Sequence, residues 1–290
     1  MRRGVSSLIA CVLIAGLSFF AVGCASSGGR NVDPDELIFH YVWEGDIDNA
    51  GFTEPSGIIY HPDREVLFAI GDEGHVMRLK TDGSEPQVEI LSEGSDLEGI
   101  TVNPATGLLY VAVEGKEKVL EVDPESLEVL RSFQIDRDFK GHTVFKPPGN
   151  GTEGITFRPD PAHPEGGTFF VTNQSFGGDE KSFIMEVELP LESGGDTGEN
   201  LRMIEPGVID LSALYWGPRA GSLLVVSDAT NSLYRLNEEG DVIDGWSFVG
   251  NDQEGLTLGP DGYMYIAQDC GGIIKVWPKT LLGPQEEDGE

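Results

Sequence analysis

The sequence is poor in the residues that staple a fold or bind soft metals: it has three cysteines and five histidines in 290 positions, none paired at zinc spacing. Cys11 and Cys24 both fall near the N-terminus, so Cys270 stands alone in the body of the chain and an intrachain disulfide is excluded there. Cys270 follows Asp269 and has no basic neighbour to activate it, so it reads as a plain thiol, buried or half-buried, and not as a nucleophile. Positive charge is scarce too, with 19 lysines and arginines against 50 acids and a formal charge of −31. That balance disfavours nucleic acid and anionic lipid surfaces as partners. It leaves two readings of the acids, solubility or attraction of divalent cations. Past Val22 no apolar run is long enough to cross a bilayer, and neither G-x-S-x-G nor a Ser-His-Asp order occurs.

The one apolar run is terminal. Arg2 and Arg3 precede Leu8 to Val22, which ends in Ala21-Val22-Gly23-Cys24. This pattern resembles a bacterial lipoprotein signal, in which residues 1–23 are removed and Cys24 is acylated. The run is short for a spanning helix, which needs about 20 residues. Loss of Arg2 and Arg3 takes the basic residues from 19 to 17 and the charge from −31 to −33. Residues 24–36, polar and Gly-rich, are expected to form a flexible tether, residues 37–280 the folded part, and residues 281–290 an acidic disordered tail. Ala25 after Cys24 points to the periplasmic side of the outer membrane, with the lipid as the membrane contact.

What fills the body is a repeat. Five stretches open at Ser56-Gly57-Ile58, Glu98-Gly99-Ile100, Glu153-Gly154-Ile155, Ser212-Ala213-Leu214 and Glu254-Gly255-Leu256. In each a proline stands five residues past the central Gly or Ala: Pro62, Pro104, Pro159, Pro218 and Pro260. Alternating apolar runs and tight turns at a spacing of about 40 to 45 residues predict an all-β chain, a single β-propeller of five four-stranded blades. The fifth repeat has only three strands, and Leu37 to Gly45 is a strand-like run with no repeat of its own. It is expected to pair onto the last blade and close the ring, which removes exposed edges. The alternative is six blades, the extra one in Asp136–Asn150. That segment holds two adjacent prolines and little alternation, and a long loop suits it better.

In a propeller the first strand of each blade lines the channel, and the turns after each second strand lie at one mouth. The strand openings carry Ser56, Glu98, Glu153, Ser212 and Glu254, preceded two residues earlier by Glu54, Asp96, Gly151, Asp210 and Asp252. The second-strand exits carry Asp72, Glu114, Asn173, Asp228 and Asp269. Gathered together, like charges oppose one another, and oxygen donors of this kind suit a hard cation, calcium first and magnesium second. Glu98, Glu153 and Glu254 are the candidate metal ligands, with the five exit residues as further ligands at the mouth. The bland alternative is that these acids bond backbone amides and channel water, while Gly99, Gly154 and Gly255 let the inner strands crowd together. His75 and His142 are the loop histidines placed to act as general bases, though a lone loop histidine is more ordinarily solvated. Phe139, Phe145 and Phe176 stand in expected mouth-side loops, where they contact a ligand or, more commonly, pack the loops down.

These five openings, together with SLLVVSDATNSLYRLNEEGDVIDGWSF in the fourth repeat and GYMYIAQDCGGIIKVW in the fifth, resemble the SdiA-regulated (YjiK-like) family over residues 37–278. The resemblance implies a cell-envelope propeller with a channel cation and no settled reaction. Two functions remain open: a binding or scaffold module that presents its acidic mouth to a small molecule or protein, expected as a monomer, and a metal-dependent lactone or ester hydrolase in which the cation polarises the carbonyl.

Overall fold

A computed structural model describes residues 37–146, 151–173, 175, 182–217 and 221–282. Cys24, the lipoprotein signal, the tether, Phe176, Pro218 and most of the acidic tail lie outside the described residues. Among the described residues no helix is long and apolar enough to cross a membrane.

Strand β1 is Val42–Asp46. A first meander follows, with β2 Pro55–His61, β3 Val66–Gly71, β4 His75–Lys80 and β5 Gln87–Ile90. The second runs β6 Leu97–Val102, β7 Leu109–Val113, β8 Lys118–Val122 and β9 Val129–Ile135. After a small hairpin, β10 Asp138–Phe139 and β11 His142–Thr143, the third has β12 Thr152–Pro159, β13 Gly167–Asn173, β14 Ile184–Glu188 and β15 Thr197–Ile204. The fourth has β16 Leu211–Gly217, β17 Ser222–Ser227, β18 Ser232–Leu236 and β19 Val242–Ser247. The last has β20 Gln253–Leu258, β21 Met264–Gln268 and β22 Ile273–Trp277, before one helical turn, α1 Lys279–Leu282. Every meander is antiparallel, and a short parallel contact, Thr197 to Gln134 and Gly198 to Ile135, joins the second and third along their outer strands.

Strand β1 pairs antiparallel with β22, Val42 opposite Trp277 and Asp46 opposite Ile274, and so gives the last meander its fourth strand from the other end of the chain. Just before it, Phe39 is buried against Trp246 and Phe248. The expected terminal strand is therefore present, though its ladder covers only Val42–Asp46. Asp136–Asn150 is not featureless loop, since β10 and β11 pair within it. The Gly-rich stretch from Leu191 leads into β15, the outer strand of the third meander.

The apolar core is divided among the gaps between meanders. Five buried clusters each join two neighbours: Phe68 with Val111, Tyr110 with Phe169, Phe170 with Leu223, Val226 with Ile266, and Tyr265 with Leu67. The last cluster connects the fifth meander to the first, so the circuit of sheets is closed. Strands buried on both faces read as nearly continuous apolar runs, as in Val66–Gly71 and Leu109–Val113. The innermost strands approach so closely that a Cβ on Gly99 would lie 2.6 Å from the Glu153 carbonyl oxygen. One on Gly154 would lie 2.7 Å from that of Ser212, and one on Gly255 2.7 Å from the Ile58 nitrogen. This is the glycine crowding that the repeat predicts.

Candidate functional site

Each inner strand is bulged at the same place. The pairing register shifts between Pro55 and Gly57, Leu97 and Ile100, Thr152 and Ile155, Leu211 and Ala213, and Gln253 and Gly255. A bulge takes a residue out of the ladder and re-aims its side chain. The residues so released are Ser56, Glu98, Glu153, Ser212 and Glu254, the repeat openings themselves. Ser56 Oγ donates to the Glu54 carbonyl at 3.2 Å and Ser212 Oγ to the Gln253 carbonyl at 2.6 Å, so the two serines are committed to backbone. The three glutamates remain for chemistry.

Around them stands a second set of acids fixed by backbone bonds. Glu114 N donates to the Asp96 carbonyl at 3.0 Å, Asp228 N to Asp210 at 3.2 Å and Asp269 N to Asp252 at 2.8 Å. These bonds tie each second-strand exit to the residue that precedes its inner strand. Glu54, Asp210 and Asp252 hold positive φ of 48°, 53° and 51°, a left-handed turn that most side chains avoid. Glu114 Oε1 accepts from Gly151 N at 3.1 Å, Asp210 Oδ2 from Ala229 N at 2.9 Å, and Asp228 Oδ1 from Gln253 N at 3.1 Å. Asn173 instead turns inward, its Oδ1 accepting from Phe183 N at 2.6 Å.

The electrostatics are set by burial among like charges. Burial, followed by Glu153 and Asp96, raises Glu98 well above the usual carboxylate range. Burial, followed by Glu114 and Asp96, pushes Glu153 up to about 8. Burial, followed by Glu153 and Asp228, raises Glu254 well above its ordinary value. Asp72 rises to about 6, through burial and then Glu54, and its Oδ1 is buried without a hydrogen-bond partner. Glu114, Asp210 and Asp228 are raised as well, burial leading in each. The Glu98 carboxyl stands beside those of Asp96 and Glu153, and that of Asp96 beside Glu114. Carboxylate oxygens of Asp96, Glu98 and Glu114 lie within 4.8 Å of one another, a spacing that fits a hard, oxygen-ligated cation.

The structure thus links Glu98 with Glu153 and brings both, with Glu254, into one field together with Asp96, Glu114, Asp210 and Asp228. Asp96 was not among the candidate ligands, although its place two residues before Glu98 was the available signal. Glu117 was missed altogether. It is buried at positive φ and paired with Arg137, which sets it beside Glu114 as a support of the mouth. The loop histidines do not join this set: His142 is exposed on β11, and His75 faces Glu73 at 3.9 Å. Phe145 is fully buried against Phe183 and Phe139 lies under Lys140, so both pack their loop down. Cys270 is exposed, not buried; partial desolvation and then Asp252 raise its thiol, which keeps it a poor nucleophile.

A closed circuit of antiparallel meanders with acids gathered along its inner strands defines an acid-mouthed β-propeller. The chain belongs to the phytase-like family, described as "Esterase-like activity of phytase", whose model matches residues 50–203. Glutaminyl cyclase from Myxococcus xanthus shares the fold at a TM-score of 0.56 and 12% identity, over 82% of this chain and 94% of that one. The Xanthomonas campestris gluconolactonase XC5397 is similar at a TM-score of 0.49 and 14% identity, over 80% and 78% of the two chains. No curated protein matches the sequence significantly.

Proposed function

We propose that this protein is a cation-dependent ester or lactone hydrolase whose substrate enters at the acidic mouth. The observation that carries the proposal is the cluster of Asp96, Glu98 and Glu114, whose carboxylate oxygens lie within 4.8 Å of one another, with Glu153 beside it and the buried members opposed by desolvation and by one another. Glu98, Glu153 and Glu254 would hold the ion, calcium before magnesium, with Asp96 and Glu114 beside them. A cation so bound supplies Lewis acidity to a carbonyl or phosphoryl oxygen. Asp72, raised to about 6, suits a group that takes a proton from water near neutral pH. The esterase-like description of the family favours ester chemistry over a purely structural propeller. The resemblance to SdiA-regulated propellers and the lipoprotein pattern at Cys24 support a monomer tethered to the bacterial envelope, on the periplasmic side of the outer membrane.

The test is calcium titration of the full-length protein by calorimetry, with hydrolysis of aryl esters, lactones and aryl phosphates followed with and without chelator. The expected result is one bound ion, and turnover lost both on chelation and in a folded Glu98→Gln variant. Ion binding with a raised melting temperature but no turnover would return the chain to the binding or scaffold reading, with a structural cation. Absence of both heat and turnover would sink the metal-dependent hydrolase.

A further inference from the structure

The inner strands carry a second repeated position that the acidic mouth does not use. Three residues beyond Ser56, Glu98, Glu153, Ser212 and Glu254 stand Ile59, Thr101, Thr156, Tyr215 and Thr257, and all five line one pocket of about 490 Å³. Three residues of strand place this ring about 10 Å along the axis from the glutamates, with the glycine-crowded waist between. The next residue of each strand lines the same pocket, among them Tyr60, Phe157 and Trp216. So do the repeat prolines Pro62, Pro104, Pro159 and Pro260. The proline of four of the five repeats is thus part of a wall at the end of the channel remote from the acids.

The chemistry of this pocket is specific. Its volume falls in the range of about 300–1,000 Å³ that small-molecule sites occupy. Among the described residues its one guanidinium, Arg235, is paired with Asp244. Three of its five inner-strand positions are threonines. Thr257 Oγ1 accepts from Tyr60 N at 3.2 Å, Thr101 Oγ1 from Phe157 N at 3.1 Å and Thr156 Oγ1 from Trp216 N at 2.9 Å, each across to the next inner strand. All three residues are at most 4% exposed. Among the described residues none of these hydroxyls has an acceptor for its own proton. A buried donor without an acceptor is costly, and such donors at the floor of a pocket edged with aromatic residues call for an oxygen acceptor carried on a flat apolar body.

We propose that the pocket opposite the acidic mouth is a second ligand site, which takes an uncharged aromatic carbonyl compound with its ring against Tyr60 and Trp216 and its oxygen on the threonine hydroxyls. Offset or edge-on ring contacts favour an aromatic body, and a carbonyl oxygen, with two lone pairs, accepts from two of the hydroxyls. The site is independent of the hydrolase reading, since the waist separates it from Glu98, Glu153 and Glu254.

The test uses the full-length protein and the neutral naphthyl ketone prodan, whose emission shifts to the blue in apolar surroundings. Saturable binding with a blue shift is expected, weakened about tenfold or more in Val102→Arg, which sets a charge on a half-buried lining residue. Leu130→Arg, on an exposed outer strand, should bind as the parent does. A naphthylamine without the carbonyl should bind about tenfold more weakly than prodan. Absence of saturable binding by a folded parent overturns the site. Equal affinity in the parent and in Val102→Arg, folded by circular dichroism, overturns its location. Equal affinity for ketone and amine overturns the role of the threonines.

Discussion

At the residue scale the decisive fact is that an acid raised by burial and then by its neighbours binds more protons folded than unfolded. Glu153 has an ordinary value of 4.5 and sits at about 8 in the fold. Its ionisation therefore opposes folding, and in chelator the stability of the chain should fall as pH rises from about 4.5 to about 8. Melting scans across that window check the sign, and calcium should reverse the slope because it selects the ionised carboxyls. A slope that is flat in chelator would count against a raised Glu153. The same logic gives an unusual expectation for Glu153→Gln: a higher melting temperature than the parent in chelator at pH 8, and weaker calcium binding. Gly99 is the converse case, set by space and not by charge. Gly99→Ala puts a methyl 2.6 Å from a neighbouring carbonyl oxygen, and overpacking of this kind should cost about 1–3 kcal/mol in denaturant unfolding.

At the scale of elements, two supports are open to test. Arg137 lies on the segment between β9 and β10 and pairs with Glu117, which is 1% exposed. Removing a partner from a buried pair strands a charge, so Arg137→Ala should cost about 3–5 kcal/mol. Arg64→Ala, whose partner Glu125 is exposed, should cost under about 1 kcal/mol. The other support is the terminal segment. Phe39→Ala removes a buried ring from between the fourth and fifth meanders, at about 3–5 kcal/mol. Deletion of residues 37–46 goes further, because it uncovers the edge of β22. Light scattering should then report association through the bare strand.

For the whole molecule, ring closure and the proposed cation would reinforce each other. An ion shared by β6, β12 and β20 would bind the folded circuit and not the unfolded chain, so calcium at 100 times its dissociation constant should add about 2.7 kcal/mol of stability. Titrating calcium against the melting temperature measures this directly. A melting point that does not move while calorimetry reports binding would place the ion outside the inner ring.

The sequence by itself determined the repeat, its order and its chemistry. The Gly or Ala at each opening, the proline five residues on and the acids at strand openings and exits are local signals with a period of their own, and a four-stranded unit can be read from alternation and turns. Pairing of the N-terminal strand with the last meander was legible too, since three strands at one end and an orphan strand at the other leave one economical closure. What only the tertiary structure decided was which acids meet. A side chain's direction at a bulge follows from a register shift between two strands, and the meeting of Glu98 with Glu153 depends on two strands some 55 residues apart crowding at a glycine waist. The threonine ring escaped notice for the same reason: Thr101, Thr156 and Thr257 look like ordinary strand residues until closure sets them around one axis, where each accepts a bond from the next strand.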